Sequence, residues 1–224
     1  MAASTSTSTE PRILLTGASG FIGGSVLTQL LNSSSPSLRS GPITCLVRGA
    51  DRVTKLKEAY GARVNPVLYR ESYLIFTFDV AYQGLDDLET ATAVAAQHDV
   101  VISATLGIHT ASVRALLEGL ARRKRARPGS EPWLIHTSGT SNLASRPFAD
   151  DAPAAGSGSG SCSSNGRTFD DAADDIYGYE VAREAAAAYP QRTTELGVVN
   201  AGLELGVRTS EQSPPPSPHH PSPT

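Results

Sequence analysis

The sequence predicts an α/β protein built on a doubly wound parallel sheet, and three observations carry that expectation. Short apolar runs alternate with helical periodicities along residues 11–143, the pattern of consecutive βαβ units. The first run, Arg12 to Thr16, ends in a glycine-punctuated turn and passes at once into a helical pattern. Val100-Val101-Ile102 is a short continuous apolar run, suited to a strand buried on both faces. Such crossovers make the strands parallel, and ligands then sit at the carboxyl ends of the strands. Those ends are Thr16-Gly17, Arg48, Ala104-Thr105 and Thr137-Ser138.

In chain order, residues 1–10 are small and polar and are expected to be disordered. Strand one covers Arg12–Thr16. In the helix after it Ile22, Val26, Leu27, Leu30 and Leu31 recur on one face, and Asn32-Ser33-Ser34-Ser35-Pro36 ends it. Ile43–Val47 reads as a second strand, Asp51–Tyr60 as a helix with Val53 and Leu56 inward, and Val64–Leu68 as a third strand. The stretch Tyr73–Phe78 has high strand propensity, yet it stands where a strand should hand over to a helix. Asp86-Asp87 can cap that helix, Leu88–Gln97, which turns Ala91, Val94 and Ala95 inward. A helix from Thr110 onward aligns Val113, Leu116, Leu117 and Leu120, and Trp133–Ser138 is the fifth strand.

Beyond Gly139 the pattern weakens. Residues 144–175 read as a flexible linker or insertion, with Gly/Ser composition from Gly156 to Gly166. Within 176–209, helices are expected over Tyr179–Tyr189, stopped by Pro190, and over Arg192–Leu205. Residues 210–224 are Ser/Pro-rich and cannot bury a core.

The net charge of -3 predicts no general affinity for nucleic acid or acidic membranes. Cys45 and Cys162 stand alone, which suggests neither a disulfide framework nor a zinc site. The start of the chain lacks a basic region followed by an apolar one, and no run of about 18 apolar residues occurs. A cytoplasmic setting is the expectation.

The chemistry concentrates at Gly17, Gly20 and Gly23, spaced G-x-x-G-x-x-G, one residue wider at the front than the usual dinucleotide fingerprint. Gly17 permits the turn, Gly20 admits a pyrophosphate, and Gly23 lets the helix pack on the strand. With Ser19, Phe21 and Ile22 they form the expected phosphate site at the helix N-terminus. Arg48 ends the second strand, where an arginine can pair with a ribose 2′-phosphate, so NADP is favoured over NAD. Asp51, just beyond, could restore some preference for NAD. Ala104 and Thr105 complete the cofactor site at the fourth strand's end. Ser138 and Thr137 could hydrogen-bond a substrate carbonyl. Tyr179 and Arg183 share a helix face, an imperfect proton-donor pair; Tyr177 lies nearby. The basic run Arg122–Arg127 reads as the solvated end of a helix, and His219-His220 has no metal role.

Leu15–Gly24, Leu46–Arg48, Gly84–Asp87, His98–Ser103, Trp133–Gly139 and Ala201–Thr209 together resemble the extended and atypical short-chain dehydrogenase/reductase superfamily. Within it, the chain looks like the NmrA-like and epimerase/dehydratase-like NAD(P)-binding proteins. That resemblance implies a Rossmann fold, with the Leu85 backbone contacting adenine because Gly84 stands where an acidic residue often does. It implies an oxidoreductase or epimerase-like activity on a small carbonyl or hydroxyl metabolite. The family's Y-x-x-x-K pair is absent, and Leu196 stands at the lysine's place. The alternative is therefore a non-catalytic dinucleotide sensor with a protein partner, as NmrA-like regulators are. Arg70–Tyr82 interrupts the family pattern, and its Arg-Glu-Ser opening is what a retained intron beginning GTGAGT would encode. After Thr209 the family's C-terminal substrate region is missing, so a truncated, defective product of mis-splicing is a further expectation.

Overall fold

The run Ile13-Leu14-Leu15-Thr16 forms β1, buried along its whole length, and five further strands line up beside it. The structure is a computed structural model and describes residues 10–39, 41–69, 84–143, 169–170 and 172–210. The strands are β2 (Ile43–Val47), β3 (Val64–Leu68), β4 (Val100–Ser103), β5 (Trp133–His136) and β6 (Arg208–Thr209). Their order is β3-β2-β1-β4-β5-β6, and every adjacent pair is parallel. The helices are α1 (Phe21–Asn32), α2 (Pro36–Arg39), α3 (Ala50–Tyr60), α4 (Leu88–Ala95), α5 (Thr110–Ala126), α6 (Ile176–Ala186) and α7 (Pro190–Leu205). This is a Rossmann-like, doubly wound sheet.

Strand side chains alternate between the two faces, and the core divides accordingly. Leu14, Leu46, Val101 and Leu134 point one way, into a cluster completed by α4, α5 and α7. Ile13, Leu15, Ile43, Cys45 and Val47 point the other way, against Leu27 and Leu31 of α1 and Leu56 of α3. Burial pushes the Cys45 thiol up to about 12, so it packs as a small inert apolar group.

The second face thins toward β5. Val100 and Ile102 are only partly buried, which corrects the expectation of a strand covered on both sides. Trp133 and Ile135 are 38% and 41% exposed. The helical residues of that face's cluster, among the described residues, come from α1, α2 and α3, whose partners are the early strands. Arg208 lies over the Trp133 ring at 5.4 Å.

Local chemistry sets the element ends. Asp87 caps α4, as expected, by accepting from Thr90 N at 3.1 Å. His109 caps α5 through Ser112 N, and Asp175 caps α6 through Gly178 N, so α6 begins three residues before the expected Tyr179. Pro190 starts α7 rather than merely stopping α6, since its missing N–H is no loss in a first helical turn. The short α2 follows Pro36 for the same reason. Ser210 N donates to Leu134 O at 3.0 Å, so chain pairing runs one residue beyond the expected boundary. The basic run ends α5 as expected and is tied to its neighbours: Arg123 Nε donates to Asp99 and Lys124 Nζ to Gly206 O. Arg70–Tyr82, Gly156–Gly166, Cys162 and residues 211–224 lie outside the described residues.

The α4–α5 crossing depends on Gly119. A Cβ there would come within 2.5 Å of Thr92 O and 2.6 Å of Ala95 Cβ, distances that force the helices apart. Gly119→Ala is expected to destabilise the fold by about 1–3 kcal/mol, read as a lower denaturant midpoint at unchanged slope.

Candidate functional site

The glycine turn leaves β1 where β4 lies alongside it, with Thr16 opposite Ser103. Gly17 has φ +75, and a Cβ on it would come 2.2 Å from Ala104 O. A Cβ on Gly23 would come 2.1 Å from Gly17 O. Glycine is therefore obligatory at both positions, the first by conformation and contact, the second because α1 packs on the turn itself. The same contacts place the Ala104 and Thr105 backbone against Gly17.

α1 begins without a side-chain cap and without an acidic residue in its first turn. Among the described residues no side chain caps its first N–H groups, at the positive end of its dipole. Phe21 and Ile22 are 93% and 50% exposed. Ile22 was expected on the inward face; instead Gly23, Leu27 and Leu31 are buried. At the helix mouth the first turn overhangs the end of the sheet and finds nothing to pack on.

Arg48 follows β2 with its stem against Gly84, where a Cβ would meet Arg48 Cγ at 2.9 Å. The structure adds Arg52, which sequence reasoning missed: its Nη1 donates to Ser19 Oγ at 2.7 Å. Two arginines four residues apart at a strand-to-helix junction were the available signal. Asp51 faces solvent and pairs with Lys55 at 3.5 Å. The Leu85 side chain is buried in the core, leaving only its backbone for a ligand.

A second polar group gathers after β5. Ser138 Oγ donates to Glu195 Oε2, and Asn142 Nδ2 donates to the same oxygen and to Ser138 Oγ at 3.0 Å. Gln191 lies along the Gly139 backbone, in space that a Cβ would fill, and accepts from Ser141 Oγ at 2.7 Å. Tyr189 Oη donates to Ser141 Oγ at 3.0 Å. Leu196, at the expected lysine position, is buried at 8% exposure; its neighbour Glu195 is the residue that meets Ser138. Tyr179 packs edge-on against Phe169, centroids 4.8 Å apart, and Tyr177 Oη donates to Asn200. Neither tyrosine meets Ser138. Thr137 N extends the ladder to Ser103 O.

Two buried titratable groups lie close to this end of the sheet. Burial first, then the charge of Glu195, pushes Glu180 up to about 7. Burial drives His136 down to about 4, and both its ring nitrogens lack partners, as do Thr16 Oγ1 and Ser103 Oγ. Register puts these three side chains in one row across β1, β4 and β5.

No family model matches the chain. It is 28% identical over 201 residues to a protein named "Oxidase ucsJ" from Acremonium sp., a match covering 90% of this chain. The chain spans 47% of that protein's length. A solved structure described as "AtPrR2 in apo form" superposes at TM-score 0.45 with 14% identity, over 89% of this chain and 47% of that one, too distant to bear on function.

Glu180 and His136 predict opposite pH responses. Glu180 takes a proton more readily folded than unfolded, so its penalty grows from its ordinary value of 4.5 to about 7 and is full above. Glu180→Gln is expected to gain up to about 3 kcal/mol at pH 8, fading toward pH 5 in denaturant melts. His136 resists protonation when folded, so stability drains as pH falls from 6.5 to about 4. His136→Leu is expected to flatten that acid limb, and an unchanged limb would refute the assignment.

Proposed function

We propose that the chain is a nicotinamide-dinucleotide-binding oxidoreductase that prefers NADP(H) and acts on a small hydroxyl or carbonyl compound. The observation that carries this reading is the uncapped α1 N-terminus, set behind two sterically obligatory glycines and flanked by Arg48 and Arg52. In a sheet ordered 3-2-1-4-5-6 the strand order reverses between β1 and β4, and dinucleotides bind at that crevice. The residues present fit the group. The segment Gly17–Gly23, with Ser19, Phe21 and Ile22, would hold the pyrophosphate by backbone N–H groups. Arg48 and Arg52 would hold the adenosine with its 2′-phosphate, with the Leu85 backbone at the adenine and Ala104 and Thr105 lining the passage across β4. Bound there, the dinucleotide supplies a hydride acceptor or donor.

The name of the Acremonium relative supports an oxidoreductase. Because this chain spans about half of that protein, substrate and activity are proposals. A second reading, a non-catalytic sensor with a protein partner, is favoured by the absence of Y-x-x-x-K.

Titration calorimetry tests the reading. NADPH is expected to bind more tightly than NADH. Arg48→Ala and Arg52→Ala should each weaken NADPH selectively, by about 1.5–3 kcal/mol for a charge-assisted contact. Equal losses for both cofactors would remove the 2′-phosphate assignment, and no binding of either would defeat the proposal. Binding without turnover across a carbonyl panel would identify the sensor.

A further inference from the structure

The polar group after β5 stands on the opposite side of the switch point from the two arginines. With adenosine over β1–β3, the other half of a dinucleotide crosses to β4 and β5. Gln191 ties this region together: its Nε2 lies 3.4 Å from where a Gly107 Cβ would be, in the loop after β4, and its amide covers Gly139 after β5. The first turn of α7 is thereby fixed across the ends of both strands. Ser138 and Glu195 are each partly exposed there. Asn142 is 1% exposed, and while its Nδ2 donates to both, its Oδ1 has no hydrogen-bond partner among the described residues. A buried amide that holds a partly exposed serine and carboxylate together at the end of a parallel strand is an arrangement that packing alone does not call for.

We infer that Glu195, acting through the Ser138 hydroxyl, is the acid–base residue of this chain, with Asn142 as the positioning residue for both. The inference rests on the dinucleotide reading above. In the oxidising direction an alcohol gives its hydroxyl proton to Ser138 Oγ as the serine proton passes to Glu195 Oε2. A bound oxidised nicotinamide would supply the acceptor for the carbinol hydrogen as hydride, and the C–O bond becomes a carbonyl. In the reducing direction the proton returns along the same path. No tyrosine or lysine is required.

The charges facing Glu195 suit the role. From α6 come Glu180 and Glu184, and from α7 Arg192, whose Nη1 stands 3.4 Å from Glu184 Oε2; the Tyr189 phenol lies beside Gln191. Arg192 is committed to Glu184 and to the Ala187 and Asn142 carbonyls. Burial, then the charge of Glu195, pushes Glu180 up to about 7, and Glu195 is the acidic side chain that meets the serine.

Cofactor binding alone tests the placement, because the oxidised nicotinamide ring is positively charged and the reduced ring is neutral. NADP+ and NADPH are titrated from pH 5 to 9 into the wild type, Glu195→Gln and Glu195→Asp. At pH 8, Glu195→Gln is expected to weaken NADP+ relative to NADPH by about tenfold. Glu195→Asp, which keeps the carboxylate, is expected to retain the wild-type preference for NADP+ over the pH range. An affinity ratio unchanged by Glu195→Gln overturns this inference alone, and failure of the wild type to bind either cofactor overturns the reading beneath it.

Turnover of C3–C8 primary and secondary alcohols with NADP+ tests the chemistry. The kcat is expected to fall about 100-fold or more in Glu195→Gln and Ser138→Ala, with KM little changed and the acid limb of the pH profile lost in Glu195→Gln. NADP+ binding with no turnover of any alcohol, or an acid limb that persists in Glu195→Gln, overturns the catalytic role.

Discussion

The backbone contact between Gly17 and Ala104 is the constraint on which the rest of this molecule depends. β1 and β4 are adjacent and in register to their last residues, so the chain leaving β1 must turn directly over the end of β4. With a would-be Cβ only 2.2 Å from a carbonyl oxygen, no side chain can be accommodated without separating the strands. Once the turn is made, α1 must start against it, and Gly23 permits that approach. The result is a helix N-terminus aimed into the only crevice where the strand order reverses among the described strands. Sheet topology, turn chemistry and a helix N-terminus without a side-chain cap are consequences of one close approach.

The crevice is electrically asymmetric. On the β2 side Arg48 leaves the strand against Gly84 and Arg52 reaches Ser19 of the glycine turn, with Asp51 swung outward to Lys55. On the β5 side the deeply buried Arg192 pairs with Glu184, and Glu180 lies buried near Glu184 and Glu195. Burial first, then the charge of Glu195, pushes Glu180 up to about 7. The proposed dinucleotide, with anionic phosphates at one end and, when oxidised, a cationic ring at the other, would suit both halves.

The fold was legible because it rests on patterns that a linear sequence records directly: apolar runs four or five residues long, helical spacing in Val113, Leu116, Leu117 and Leu120, and a cap at Asp87. What the sequence obscured depends on tertiary placement. Ile22 has the right spacing for the inner face of α1, but the helix mouth overhangs the sheet and leaves it exposed. Val100-Val101-Ile102 looks fully buried because both-sided burial is usual for such runs, yet the helices on one face serve the early strands. Arg52, four residues after Arg48, shows its partner only once α3 turns it toward Ser19.

The β5 side shows why site residues are harder to read than elements. Ser138 and Glu195 are 57 residues apart, and nothing in their spacing pairs them. The search for Tyr and Lys on one helix led to Leu196, one position from the residue that faces Ser138. A helix changes its facing by about 100° per residue, so an error of one in alignment exchanges a buried apolar side chain for the acidic one at the site. Gly139 was the overlooked clue, since a bare backbone after β5 is what lets Gln191 lie down and bring the first turn of α7 to bear. The glycine that shapes the turn after β1 has a counterpart at the other end of the crevice: in both places the missing side chain admits a close neighbour, the Ala104 backbone at one and the Gln191 amide at the other.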